Sequence, residues 1–253
     1  MPSLLSTSAT TEVKYLIDLA EEERVARRLD FIYSQVPMNN CRRCADCCFN
    51  SPQVHPIEFL SIYEWLTALP ELKQLRLGRK LIEYELLNLT TLKNKCPFLK
   101  PLGCLIYERR PLQCRLFGLY PREEYADIVT KCRLQNEELS GYYRRVKKLP
   151  LPKAVMTYDI DQCANNIDKQ GRLIVIPADG RARLNAQIHE LSRQALPGDW
   201  HSPNLLSFSN QYALMHMNDE ELETTKISAI KEFQRRGRSQ ALDKLLAQTD
   251  WRF

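Results

Sequence analysis

The sequence predicts a mainly α protein: a cysteine-rich N-terminal half with irregular loops, followed by a helical C-terminal region. Three observations predict it. Apolar residues recur at steps of three and four through much of the 253-residue chain, the period of a helix that buries one face. Between 95 and 120 the breakers Cys96-Pro97, Pro101, Gly103, Arg110-Pro111 and Gly118 come too often for a long helix. The nine cysteines are concentrated before residue 133, with Cys163 the exception.

The elements follow in order. Residues 11–36 read as one amphipathic helix on Val13, Leu16, Ile17, Ala20, Val25, Leu29 and Ile32, capped by Thr10 or Thr11 and ended by Pro37. Pro56 opens a second helix, with Ile57, Leu60, Tyr63 and Leu66 on one face, and Pro70 closes it. A third covers 71–92, where Gly78 should weaken the middle by roughly 1 kcal/mol relative to Ala. Residues 133–148 read as a helix with a basic end, and Leu149-Pro150-Leu151-Pro152 reads as a linker that divides a domain 1–150 from a helical region 151–253. Beyond it, 172–176 suits one short strand, while 180–196 and 218–247 read as helices, the last broken at Gly237.

Composition narrows the function. With 44% hydrophobic and 26% charged residues, the chain can bury a real core, which excludes disorder and collagen. Lys and Arg exceed Asp and Glu by 36 to 31, an excess that permits an acidic protein partner but is too small to point to nucleic acid. No Gly-x-Gly pair exists, so neither a Rossmann fingerprint nor a P-loop is present. No export signal and no long apolar window is visible, which points to a cytoplasmic protein without a membrane span. In that reducing compartment the cysteines read as thiolates rather than disulfides.

Cys41-x-x-Cys44-x-x-Cys47-Cys48 packs four thiols into eight residues, and Cys96, Cys104, Cys114 and Cys132 bring the candidate metal ligands to eight. Cys163, alone beyond the linker, reads as a small buried hydrophobe. Adjacent Cys47 and Cys48 suit one tetrahedral ion poorly, so two centres, or one bound and one spare thiol, follow. The thiol count fits zinc and 4Fe-4S clusters equally. Cys41, Cys44 and Cys47 carry the spacing of the first three ligands of a ferredoxin-type cluster, but Ser51 stands at the fourth position. Arg42, Arg43, Arg109, Arg110 and Arg115 flank the cysteines, and cationic neighbours favour an anionic cluster, so the balance tilts to iron–sulfur over zinc. The radical-SAM spacing is absent. Among the four histidines, His55 is the best further candidate because it follows the cysteine run by seven residues.

On Cys41-x-x-Cys44-x-x-Cys47-Cys48, Cys96-Pro97-Phe98-Leu99, Cys104-Leu-Ile-Tyr-Glu-Arg-Arg-Pro111 and Cys114-Arg115-Leu116-Phe117, the chain resembles the YkgJ-type cysteine-cluster family over about residues 41–132. The resemblance implies zinc or iron chelation. Some members look related to flagellin lysine N-methylases, which the resemblance implies carry an iron–sulfur cluster. Two positions depart from the family pattern: Ala45 replaces a common Gly, disfavouring a left-handed turn there, and Gly118 replaces a common Pro, removing a rigid stop.

The expected protein therefore folds its N-terminal half around a cysteine-ligated metal centre. Two function classes stand side by side. One is an iron–sulfur protein in redox chemistry or protein modification such as lysine N-methylation. The other is a zinc-stabilised, non-enzymatic module that holds an acidic partner through basic stretches such as Arg144–Lys148 and Arg235–Arg238.

Overall fold

The computed structural model describes residues 5–37, 45, 48, 51–90, 95–101, 103–156, 163, 166–168, 170–198 and 205–253, and these are mainly helical. The predicted helix 11–36 is two helices, α1 (Leu5–Glu22) and α2 (Val25–Ser34). They part at Arg24, whose φ of 52° is left-handed and whose N–H donates to the Glu21 carbonyl. Val13 and Leu16 on one side of the break and Val25, Leu29 and Ile32 on the other are all buried, which is why the stripe reads as continuous. Strand β1 (Gln53–Val54) leads into α3 (Pro56–Thr67), which begins at Pro56 as expected, and α4 (Glu71–Leu87) follows.

The irregular stretch contains a two-residue hairpin, β2 (Leu99–Lys100) with β3 (Gly103–Cys104), then a 3-10 turn at Tyr107–Arg109 and the short α5 (Leu112–Leu116). Next, α6 (Arg122–Arg145) starts eleven positions before the predicted 133. Among its buried residues are only Ser140 and Tyr143, so no apolar stripe announced it. Glu123 and Glu124 in its first turn and Arg144 and Arg145 in its last instead complement the helix dipole. After α7 (Lys153–Met156), the predicted strand 172–176 is corrected to a single bridge, Ile167 to Leu173, closed by Asp168 N–H to the Arg172 carbonyl. The remaining helices are α8 (Ala178–Ala195), α9 (Phe208–Leu214) behind β4 (Leu206–Ser207), α10 (Asp219–Arg236) and α11 (Gln240–Gln248). Gly237, with φ 68°, ends α10 in the left-handed cap its position predicts.

One apolar core runs from Val13 to Trp251 and joins both halves of the chain. Phe208 sits at its centre, with ring centroids 4.8 Å from Phe59 and 5.0 Å from Phe98. Strand β1 pairs antiparallel with β4, so Gln53 lies opposite Ser207 and the chain entering α3 is tied to the chain entering α9. The Glu85 carboxylate on α4 is buried and saturated by Ser209 Oγ at 2.8 Å, Asn210 Nδ2 at 3.2 Å and Lys226 Nζ at 3.1 Å. Gly78 is a docking point rather than a weakness. A Cβ there would lie 1.9 Å from the Trp251 carbonyl oxygen and 2.4 Å from the Tyr212 hydroxyl, which itself donates to that carbonyl at 2.7 Å. The Leu149-Pro-Leu-Pro stretch buries Leu149 and Leu151 in a second cluster with Tyr143 and Ile230.

Candidate metal centre

The cysteine motifs are linked by backbone bonds. Cys48 N–H donates to the Ala45 carbonyl at 2.9 Å, closing a turn in which Ala45 takes φ 68°. The left-handed turn that a glycine would favour is therefore formed by alanine, at a cost of about 1 kcal/mol. Cys96 N–H donates to the Cys48 carbonyl at 2.9 Å, and Leu99 N–H to the Cys96 carbonyl at 2.9 Å. In the hairpin Leu99 faces Cys104, and Gly103 makes the reversal at φ 118°. Three of the predicted ligands, Cys48, Cys96 and Cys104, thus belong to one locally bonded unit, seated on the buried Phe98.

Cys114 is set by a different device. It lies in α5, whose first amide, Leu112 N–H, donates to Glu58 Oε1 at 2.7 Å. Glu58 is 1% exposed and also accepts from Tyr33 Oη at 2.8 Å and from His55 N–H at 3.0 Å. One buried carboxylate therefore fixes the start of α3, a side chain of α2 and the start of α5. Burial, reinforced by Glu58, pushes the Tyr33 phenol well above its ordinary pKa. Arg115 stacks 4.1 Å over the Tyr33 ring and donates to the Arg110 and Glu108 carbonyls at 2.7 and 2.8 Å. Arg110 in turn lies 3.8 Å over Tyr107 and donates to its carbonyl. The Cys-x-x-Tyr-Glu-Arg-Arg-Pro and Cys-Arg motifs are thus held to each other by their own arginines.

The other predicted residues fall as follows. Cys41, Cys44 and Cys47 lie outside the described residues, as do Arg42, Arg43 and His201. Cys132 is half-buried midway along α6. Ser51, at the fourth position of the ferredoxin-like spacing, is committed to the core: its N–H donates to Tyr84 Oη and its hydroxyl accepts from Ser209 N–H, each at 3.0 Å. His55 is buried, with Nε2 3.3 Å from Asn185 Oδ1 and its ring 6.5 Å from that of His189. Among the described residues, no group of three or more His, Cys, Asp or Glu side chains is arranged to hold a metal ion. None of their helices is long and apolar enough to cross a membrane.

Two residues reach the cysteine motifs with no local signal in the sequence. Lys80 on α4 reaches the hairpin, with Nζ 3.3 Å from the Leu99 carbonyl. Burial lowers its ammonium pKa, with Lys100 acting in the same sense, while the Cys96 thiol and Glu83 oppose them. Cys163 packs on Gly118, four residues after Cys114. Both meet the cysteine motifs only through the fold.

Residues 40–133 match the CxxCxxCC family, described as "Putative zinc- or iron-chelating domain". The match covers this segment, and its description supports metal binding there. No curated protein and no solved structure matches the chain.

Proposed function

We propose that the chain is a cysteine-ligated metal protein whose centre is an iron–sulfur cluster, acting in redox chemistry or in protein modification such as lysine N-methylation. The observation that carries the metal reading is the match of residues 40–133 to a domain described as zinc- or iron-chelating, within which backbone bonds tie the stretches of Cys48, Cys96 and Cys104 together. Thiolates are soft donors that suit iron–sulfur clusters and zinc alike. The Coulombic attraction between the Lys80 ammonium and Cys96 supports an anionic thiolate centre, whether cluster or zinc. Cys41, Cys44, Cys47, Cys48, Cys96, Cys104, Cys114 and Cys132 are the residues that would hold the metal, and a bound cluster would supply one-electron chemistry. The test is elemental analysis of protein purified without oxygen. Stoichiometric iron and sulfide with broad visible absorbance is the expected result, lost in Cys44→Ala; a full complement of metal in Cys44→Ala would reject the ligand set.

One observation favours the second reading, a zinc-stabilised binding module. A groove of about 710 Å³ between α2 and α8 is lined by Ile32, Leu191 and Phe31, the last 69% exposed, and by Arg24, Arg27, Arg28 and Arg183, which outnumber Glu23 and Glu190. An acidic protein segment with an apolar anchor matches that surface. The basic stretches singled out in the sequence serve differently: Arg144 and Arg145, like Arg235 and Arg236, occupy last turns of helices, and Lys147 pairs with Glu223 at 2.7 Å. Colourless protein with stoichiometric zinc would select this reading.

A further inference from the structure

We propose that two neighbouring concavities form one docking surface for an acidic segment of a partner protein: the groove between α2 and α8, and a smaller hollow between α1, α2 and α3. The inference deepens the binding reading above and rests on its partner class, but not on the metal, because Arg24, Arg27, Phe31 and Arg183 all lie outside the matched segment. On α2, Val25, Leu29 and Ile32 are buried, whereas Arg24, Arg27, Arg28 and Phe31, spaced at three and four, line the groove. Arg28 donates to Gln194 and Gln35 to Gln187 at 3.2 Å, so α2 and α8 are pinned antiparallel on either side of Phe31. A surface fixed in advance loses little freedom when it is covered. Phe31 is the most exposed of the large apolar side chains among the described residues.

The charges of the groove are unevenly matched. Glu23 pairs with Arg28 at 3.7 Å, and Glu190 is held by Arg193 and by Gln194, each at 2.8 Å. Arg24, Arg27 and Arg183 have no side-chain hydrogen bond or ion pair among the described residues. Three guanidiniums left over beside an exposed phenylalanine complement carboxylates that flank an apolar side chain.

Arg24 and Arg27 also line the second hollow, of about 380 Å³, together with Ile17, Val25 and Leu60. The break between α1 and α2 falls at Arg24, at φ 52°, and the two arginines form a ridge with a concavity on each side. Past the ridge the sign changes. Glu21 and Glu64 line the hollow and are hydrogen-bonded to each other, and burial, reinforced by Glu21, raises the Glu64 pKa. The surface therefore takes an apolar anchor beside Phe31 and carboxylates on the ridge, but no further acid beyond it. Nucleic acid, with a phosphate at every step, does not meet that change of sign.

The probe is a library of random dodecapeptides displayed on phage and selected on the full-length chain. Enriched sequences should combine acidic residues with an apolar anchor. The best of them, made synthetically, should bind at least ~10-fold more weakly to Arg27→Glu and to Phe31→Ala. Arg144→Glu, the same charge change on the exposed side of α6, should leave its affinity unchanged. Positions 27 and 31 are both exposed, and unaltered thermal midpoints verify that the variants fold. Selection on Glu64→Gln should admit acids at the end of the peptide that the unmodified chain keeps free of them. No enrichment, enriched peptides without acids, or a binder indifferent to Arg27→Glu and Phe31→Ala overturns the proposal. So does tighter binding of single-stranded DNA than of the peptide, or dimerisation of the chain that Phe31→Ala abolishes. Metal analysis is read separately: zinc protein that selects no such peptide refutes the docking surface alone, and iron-loaded protein that selects them refutes the zinc reading alone.

Discussion

Glu58 links the folding of the N-terminal half to the placement of Cys114, so Glu58→Gln is the informative perturbation. Glutamine keeps the volume and one acceptor oxygen. With its carbonyl oxygen at the Oε1 position it can still receive Tyr33 Oη and Leu112 N–H, now at 2.8 and 2.7 Å. Its NH2 then faces His55 N–H, which at present donates to Oε2 at 3.0 Å. Two donors oppose each other in a site that is 1% exposed. Losing one charge-assisted bond costs about 1.5–3 kcal/mol, and a buried unsatisfied donor adds about 1 kcal/mol or more, so a loss of ~3 kcal/mol is expected. Urea unfolding should show a lowered midpoint at unchanged slope. Because Leu112 opens α5, the variant should also release metal faster. A stability change under about 0.5 kcal/mol would refute the assignment of Glu58 as the anchor of α5, since surface substitutions away from such features fall in that range.

Two further outcomes follow from the packing. Gly78→Ala and Gly141→Ala both add a helix-favouring methyl, worth up to about 1 kcal/mol. At 141 the added carbon meets only the flexible Arg145 guanidinium at 3.0 Å, so thermal unfolding should shift upward. At 78 it meets the Trp251 carbonyl and the Tyr212 hydroxyl, and the variant should lose a net ~2 kcal/mol through overpacking and a broken hydrogen bond. His216 governs acid sensitivity. Its ring lies between Tyr212 and Trp251, neither ring nitrogen has a hydrogen-bond partner among the described residues, and burial lowers its pKa from 6.5 to about 4. Between those values the unfolded chain takes up a proton that the folded chain refuses. The contribution is complete above pH 6.5, erodes as pH falls and levels out below about 4, a total of up to ~3 kcal/mol. Denaturant midpoints at pH 7 and 5 should therefore differ less in His216→Phe than in the unmodified chain.

The helices were legible where burial and punctuation coincide: Pro56, Pro70 and Gly237 mark real ends, and the stripes of α3 and α8 are truly buried. Reading failed where structure depends on something other than a stripe. Arg24 breaks α1 from α2 in a left-handed conformation that a non-glycine residue does not advertise. The α6 start is held by end charges on an exposed helix, and the supposed strand at 172–176 spends its backbone bonds on Asp168, Asn166 and Leu119. Of the site, the motifs that match the cysteine-cluster model were readable because their spacing is local. Lys80 and Cys163 were not, because only tertiary packing brings them to Cys96 and to Gly118. The two positions that depart from the family pattern behave differently: Ala45 keeps the left-handed turn regardless, whereas Gly118 is required by what covers it.

The buried Glu85 group binds α4, next to the hairpin, to α9 and α10 near the other end of the chain. A ligand captured by the cysteine-rich half would stabilise the whole core, since unfolding the distant helices strips α4 of its partners. Loss of the ion would then register as a general softening, detectable in hydrogen exchange at Ser209 and Lys226 as readily as beside the cysteines.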